Sequence, residues 1–238
     1  MLEESESNTN CADAKVVLVG ESGVGKTSII KQFTIHTFDP DCAASISSQF
    51  TSKIINISDL NKAIRYDLWD TAGQEKYRSL AKIFYKDAKI VIFVYDITNK
   101  KSFEILKSYW HKEVSTNCLS NTIFAVVGNK SDLYSISDVE EKEAINWADS
   151  IGAIFQTTSA KTNIGIDLLF DILGKKVLNP KYNYKNEEDI KRKNYEKKKE
   201  NNNKDKDDEE EINSNFQDPK NIKIDNKEHK GNKIRCCM

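Results

Sequence analysis

The chain of 238 residues carries 36 Lys+Arg against 37 Asp+Glu, a formal net charge of −1, and this near cancellation excludes nucleic-acid binding driven by bulk positive charge. Its five cysteines, Cys11, Cys42, Cys118, Cys236 and Cys237, form no even framework of short spacings and no metal-ligand pattern, so a reducing setting fits better than a disulfide scaffold. No apolar run approaches the roughly 20 residues of a bilayer span, and the length suits one domain with a tail.

Residues 1–10 are polar, and residues 1–13 read as a disordered lead. The apolar run at residues 16–19 predicts a buried strand, and the amphipathic stretch from Ser28 to Phe33 predicts a helix. Between them stands Gly20-Glu21-Ser22-Gly23-Val24-Gly25-Lys26-Thr27. A strand, a loop of small residues and a helix N-terminus turn backbone N–H groups into one concavity, a geometry suited to a polyphosphate. Lys26 adds a point charge for the outer phosphates, and the Thr27 hydroxyl suits Mg²⁺.

Residues 49–69 hold two extended segments around residues 58–61. The second alternates, with Ile64, Tyr66 and Leu68 on one side and Arg65, Asp67 and Trp69 on the other. That pattern predicts a hairpin and therefore one antiparallel edge strand. Further apolar runs at 90–95, 123–127 and 153–155 suit parallel strands covered on both faces. Helical spacing links Phe103, Leu106, Trp110 and Val114, then Ala144, Ala148 and Ile151, then Ile164, Leu168 and Ile172. The expected fold is α/β, a six-stranded, mostly parallel sheet with one antiparallel edge strand and five helices over residues 14–178. Residues 179–238 are rich in Asn, Lys and acidic side chains. They hold too little apolar surface to offset ordering entropy, and a disordered tail is expected.

Ligands of such sheets sit beyond the carboxyl ends of the strands, and the loops there carry the remaining chemistry. Asp70-Thr71-Ala72-Gly73-Gln74 follows the third strand, Asn129-Lys130-Ser131-Asp132 the fifth, and Thr158-Ser159-Ala160-Lys161 the sixth. A carboxylate such as Asp132 accepts both the N1–H and the N2 amine of guanine. Adenine presents an acceptor there and would leave the carboxylate unpaired, a loss of about 1–3 kcal/mol. Asn129 is expected to tie the base to its loop, the Lys130 stem to cover the ring, and the Ala160 N–H to meet the guanine oxygen.

These four motifs, in order and each behind a strand, resemble the Ras superfamily of small GTPases. Residues 46–50 (ISSQF), 76–81 (KYRSLA), 84–88 (FYKDA) and 94–98 (VYDIT) resemble its Rab family, and the endosomal Rab subgroup within it. The resemblance implies a P-loop GTPase domain. It also implies a vesicle-trafficking switch that alternates between a GTP-bound active and a GDP-bound inactive state. Ser22, Gly23, Val24, Gly25, Lys26, Thr27 and Ser28 would hold the phosphates, with Gly73 near the terminal one. Phe38 would stack on the guanine, and Asn129, Lys130, Asp132, Ser159, Ala160 and Lys161 would surround it. Thr27, Ser45 and Asp70 would hold Mg²⁺. Ser45 departs from the Thr usual in the family, and Ser47 from the usual Gly.

Gln74 is the implied catalytic residue: an amide positions the attacking water and cannot abstract its proton strongly. With no arginine in an obvious finger position, intrinsic hydrolysis is expected on the order of 10⁻⁴ to 10⁻³ s⁻¹, with a GAP supplying charge in trans. Phe50, Trp69 and Phe84 match the family's effector-facing aromatic triad, the third of which is commonly Tyr. Cys236 and Cys237 match the double-cysteine ending that receives two geranylgeranyl groups. Two lipids anchor stably where one is marginal, and the net basic residues 220–238 add attraction to anionic lipid. The implied partners are an exchange factor, a GAP, effectors, an escort protein, a GDP-dissociation inhibitor and, through the prenylated tail, a membrane; nucleic acid is not among them. The implied location is the cytoplasmic face of endosomal or other vesicular membranes, with a cytosolic pool. The alternative is a membrane-anchored scaffold that holds GTP or GDP and hydrolyses little.

Overall fold

The computed structural model describes residues 11–41, 49–71 and 84–185. Six strands form one sheet: β1 (Cys11–Val19), β2 (Gln49–Ile57), β3 (Lys62–Asp70), β4 (Ile90–Asp96), β5 (Ile123–Asn129) and β6 (Ile154–Thr157). Their order across the sheet is β2-β3-β1-β4-β5-β6. Every pairing is parallel except β2 with β3, which run antiparallel in the register Phe50↔Trp69 and Ile55↔Ile64. The predicted hairpin turns through a 3₁₀ segment, Ser58–Leu60, and Asn61 closes it at φ 48°.

Four of the five expected helices lie among the described residues. α1 is Lys26–Ile35, α3 is Glu141–Ser150 and α4 is Ile166–Leu178. Between β4 and β5 runs α2, whose α-helical turns Lys100–Ile105 and His111–Asn117 flank a π-helical segment, Leu106–Trp110. No pattern of residues announces that wider turn. It keeps Leu106 and Trp110 on the same buried face as Phe103 and Val114.

Parallel strands need cover on both faces, and the sheet has it. β4 is buried at all seven positions. On one side Ile29 and Phe33 of α1 and Leu169, Phe170 and Leu173 of α4 pack on Val16, Leu18, Ile92 and Val94. On the other, Phe103, Leu106, Trp110, Ala144 and Ala148 pack on Val17, Val19, Val91 and Phe93. The alternation predicted for β3 holds: Ile64, Tyr66 and Leu68 are fully buried.

Both predicted domain boundaries shift outward. β1 begins at Cys11 and pairs with β3 as Cys11↔Ala63, so residues 11–13 belong to the sheet and not to the lead. Their side chains carried no apolar signal; backbone pairing and an Asp13–Arg65 ion pair at 3.1 Å hold them. At the other end the compact unit closes at Tyr184 rather than 178. There Tyr182 and Tyr184 pack on the core, and the Phe155 N–H donates to Tyr184 Oη at 3.3 Å. Residues 1–10 and 186–238, the rest of the expected lead and tail, lie outside the described residues.

Tyr66 joins the sheet to α4. Its hydroxyl donates to the Phe170 carbonyl at 2.6 Å, and its ring meets those of Phe33 and Phe170 edge-on. Burial pushes the phenol well above the usual tyrosine range, so it stays a neutral donor. Tyr66→Phe is expected to lower unfolding stability by about 1 kcal/mol. In urea titration the midpoint should fall with an unchanged slope.

Candidate functional site

The C-terminal ends of β1, β3 and β5 open into a cavity of about 370 Å³. Its floor is the loop between β1 and α1. Gly20 has φ 146°, and a Cβ there would stand 2.2 Å from the Val94 carbonyl; Gly25 has φ 100°, and a Cβ there would stand 2.2 Å from Asn129 Nδ2. Only glycine fits both the backbone and the space at these points. No side chain caps the N-terminus of α1, and its first turn holds no acidic residue. Its leading N–H groups therefore suit an external anion.

Lys26 is buried and donates from Nζ to the carbonyls of Gly20 and Glu21 at 2.9 and 2.8 Å. Desolvation lowers its pKa to about 8, against the opposing pull of Asp70 and Glu21. Thr27 Oγ1 donates to Asp70 Oδ2 at 2.5 Å, and Asp70, at the end of β3, is buried. Among the described residues no group of three His, Cys, Asp or Glu side chains could hold a metal by itself. A hydroxyl beside a buried carboxylate instead suits a hard cation whose remaining ligands are phosphate oxygens and water. The donor set fits Mg²⁺.

The opposite wall is organised by Asn129, buried at the end of β5. Its Nδ2 donates to the Val24 carbonyl at 2.9 Å, while its Oδ1 accepts from Thr158 Oγ1 at 3.1 Å and from the Ala160 N–H at 3.3 Å. Here the side chain ties loop to loop. The Ala160 N–H, expected to meet the base, donates to Asn129. Lys130 takes a left-handed backbone at φ 67°, and its Nζ pairs with Asp96 Oδ2 at 2.6 Å. The other Asp96 oxygen accepts from the Thr98 N–H and hydroxyl at 2.9 and 2.8 Å. Asp132 Oδ1 accepts from Ser159 Oγ at 2.6 Å.

Most of the predicted residues meet in this one cavity. Its lining includes Ser22, Gly23, Gly25, Lys26, Thr27 and Ser28, then Phe38, and then Asn129, Lys130, Asp132, Ala160 and Lys161. Val24 and Ser159 support it from behind: Val24 belongs to the core, and the buried Ser159 holds Asp132. Asp39, Pro40, Thr71 and Leu133 also line the cavity and were not predicted as site residues, nor was Asp96. A signal for Asp96 was present, an Asp two residues before Thr98 at a strand end, the spacing of a side chain bonding its own backbone. Ser45, Gly73, Gln74, Cys236 and Cys237 lie outside the described residues. So do Ser47 and Arg78.

Phe50, Trp69 and Phe84 form a continuous cluster, with ring centroids 5.1 Å apart for Phe50–Trp69 and 5.6 Å for Trp69–Phe84. Phe50 is 56% exposed. Trp69 and Phe84 are half-buried against the core. Arg65 pairs with Asp13 and Asp67 and is not a cavity residue.

A model of the Ras family matches residues 15–179. The chain is 40% identical over 165 residues to the Ras-related protein Rab-22A of Homo sapiens, covering 69% of this chain and 84% of that one. It is 39% identical over 176 residues to human Rab-31, covering 73% and 89%. With RabJ of Dictyostelium discoideum it shares 38% identity over 171 residues, covering 72% and 66%.

An anionic ligand on Lys26 requires the charged amine, and burial lowers the pKa of that amine to about 8. Above that pH, binding must take up a proton, so affinity for a polyphosphate should fall with rising pH, toward tenfold per pH unit. Calorimetry in buffers of differing ionisation enthalpy should show uptake rising toward one proton per ligand, and Lys26→Ala should abolish both effects.

Proposed function

This chain belongs to the Ras family, among its Rab-like members, and we propose that the cavity at the ends of β1, β3 and β5 is its guanine-nucleotide site. The protein is a small GTPase of vesicle trafficking and hydrolyses GTP. One observation carries the assignment of the site: a lysine-bearing phosphate loop and the Asp132 carboxylate line the same cavity.

The phosphates fit the uncapped N-terminus of α1 and the loop N–H groups, with Lys26 as counter-charge. Mg²⁺ would be held by Thr27 and Asp70, with Ser45 as a third ligand, and would neutralise phosphate charge. Asp132 would accept the two guanine donors, its geometry maintained by Ser159. Phe38, in the cavity wall, would stack on the base. The Lys130 stem would cover the other side, its ammonium held by Asp96. Gln74 would orient the attacking water. Slow chemistry makes the bound nucleotide a timer, and loops ordered by the terminal phosphate would be the readout.

Exchange factors, GAPs, effectors and a GDP-dissociation inhibitor act on Rab proteins generally, and we assign Phe50, Trp69 and Phe84 to effector contact. The contiguity of the three rings and the exposure of Phe50 support that reading. Among the described residues no helix is long and apolar enough to cross a membrane. Attachment would come from lipids on Cys236 and Cys237, and likeness to Rab-22A and Rab-31 supports endosomal membranes. The low-hydrolysis scaffold is not favoured by the family match.

On nucleotide-stripped protein, calorimetry should show GDP bound in strong preference to ADP, and equal binding would overturn the site. Asp132→Ala should narrow the gap by about 1–3 kcal/mol. In single-turnover assays Gln74→Leu should lower GAP-stimulated hydrolysis by orders of magnitude, on the scale of a lost water-positioning group. Unchanged turnover would refute its role.

A further inference from the structure

α1 turns Ile29, Ile30 and Phe33 toward the core, yet Gln32 beside them is only 7% exposed. A primary amide taken out of water has to find its partners in the protein. Two carbonyls stand within reach of the Gln32 side chain, that of Thr37 at 3.1 Å and that of Ala160 at 3.3 Å. Carbonyls only accept, so the amide nitrogen faces them and donates one N–H to each. Both acceptors lie outside α1, and neither bond has a part in the reading above.

The two carbonyls belong to different parts of the cavity lining. Ala160 is buried and its N–H donates to Asn129 Oδ1 at 3.3 Å, so its loop is already tied to β5 and, through Asn129, to the phosphate loop. Thr37 is exposed and immediately precedes Phe38, Asp39 and Pro40, which line the cavity. The chain reaches them by leaving α1 at His36, whose left-handed backbone, at φ 52°, turns it and whose N–H donates to the Gln32 carbonyl at 3.1 Å. Gln32 thus holds the exit from the helix twice, by its carbonyl at His36 and by its amide at Thr37. The same amide joins that exit to Ala160, the side already fixed.

We propose that Gln32 is a positioning residue of the base site: its amide bridges the Thr37 and Ala160 carbonyls and so keeps the Phe38 ring over the guanine. Gln32 is not among the residues lining the cavity, and it acts through Phe38 without touching the ligand. The bridge makes the lifetime of the bound nucleotide depend on a buried side chain of α1. Without the two donors the segment at Thr37 and Phe38 loses its tie to the fixed loop, and the nucleotide leaves sooner.

This inference rests on the cavity being the nucleotide site, and the full-length protein loaded with mant-GDP tests that first. If the wild-type chain fails to retain mant-GDP better than mant-ADP, the site assignment falls, independently of Gln32. Given retention, Gln32→Met, which keeps the length of the side chain and removes both donors, should speed mant-GDP release about tenfold, the scale of two neutral hydrogen bonds lost. Gln32→Glu, of nearly the same shape with acceptors facing the carbonyls, should also release faster than wild type. Release at the wild-type rate in either variant overturns the proposal. A double-variant cycle reads the route through Phe38. Phe38→Ala should speed release by itself, and adding Gln32→Met should change that rate by less than about twofold. Effects that multiply mark a general loosening of α1 and overturn the positioning role. If neither Gln32 variant folds, NMR of the GDP-bound wild-type protein decides. Nuclear Overhauser contacts from the Gln32 side-chain amide should reach Ala160 and the Thr37–Phe38 pair, and their absence overturns the bridge.

Discussion

Two loops converge on the side chain of Asn129, and the rest of the site depends on that convergence. One amide satisfies the carbonyl of Val24 in the phosphate loop, the hydroxyl of Thr158 and the N–H of Ala160. It is buried, so each of these bonds is made away from water, where leaving a partner unpaired costs about 1–3 kcal/mol. The bonds fix the separation between the Lys26 end and the Asp132 end of one cavity. A ligand bridging the two ends meets a span already set by the protein. Gly25 is part of the same constraint, since the Asn129 amide occupies the space that a Cβ would need.

The charges around this frame are arranged as an incomplete set. Lys26 is removed from water and given two carbonyls, and its lowered pKa records that these do not replace full solvation. Asp70 is buried beside Thr27, and the N-terminus of α1 has no side-chain cap. On the proposed reading, a polyphosphate with a divalent cation would complete all three groups at once. The acidic groups that stand close by are each held by a donor: Asp96 by Lys130 and Thr98, Asp132 by Ser159, Glu21 by Trp110.

The sheet carries the site's chemistry to its surface. β3 presents Tyr66 and Leu68 to the core, Asp70 to the cavity region and Trp69 to the opposite side, through the two-residue period of a strand. Trp69 then meets Phe50 across the antiparallel pair, in register with it, and Phe84 beyond. A change at the end of β3 is thus one residue away from the aromatic cluster whose outer ring, Phe50, is exposed. On the proposed reading, that adjacency would be a short physical route from nucleotide to partner.

Much of this was legible from residue order. The phosphate loop, the Asn129–Asp132 and Thr158–Lys161 motifs, the hairpin and the two-faced sheet follow from local patterns, because strand and helix periodicities and loop chemistry act over a few residues. The contacts that tertiary structure decided are those with no local signature. Cys11 to Asp13 joined β1 through backbone pairing that so short and mixed a segment does not announce, and Tyr184 found an N–H on β6. The π turn of α2 left the apolar spacing of a helix intact and so was invisible. Asn129 turned toward neighbouring loops, and Trp110 reached Glu21, because folding brought distant residues within hydrogen-bond range. Sequence alone determined which chemical groups stand at the strand ends; only the packed fold decided which of them hold one another in place, since such bonds form between segments whose distance the chain order does not set.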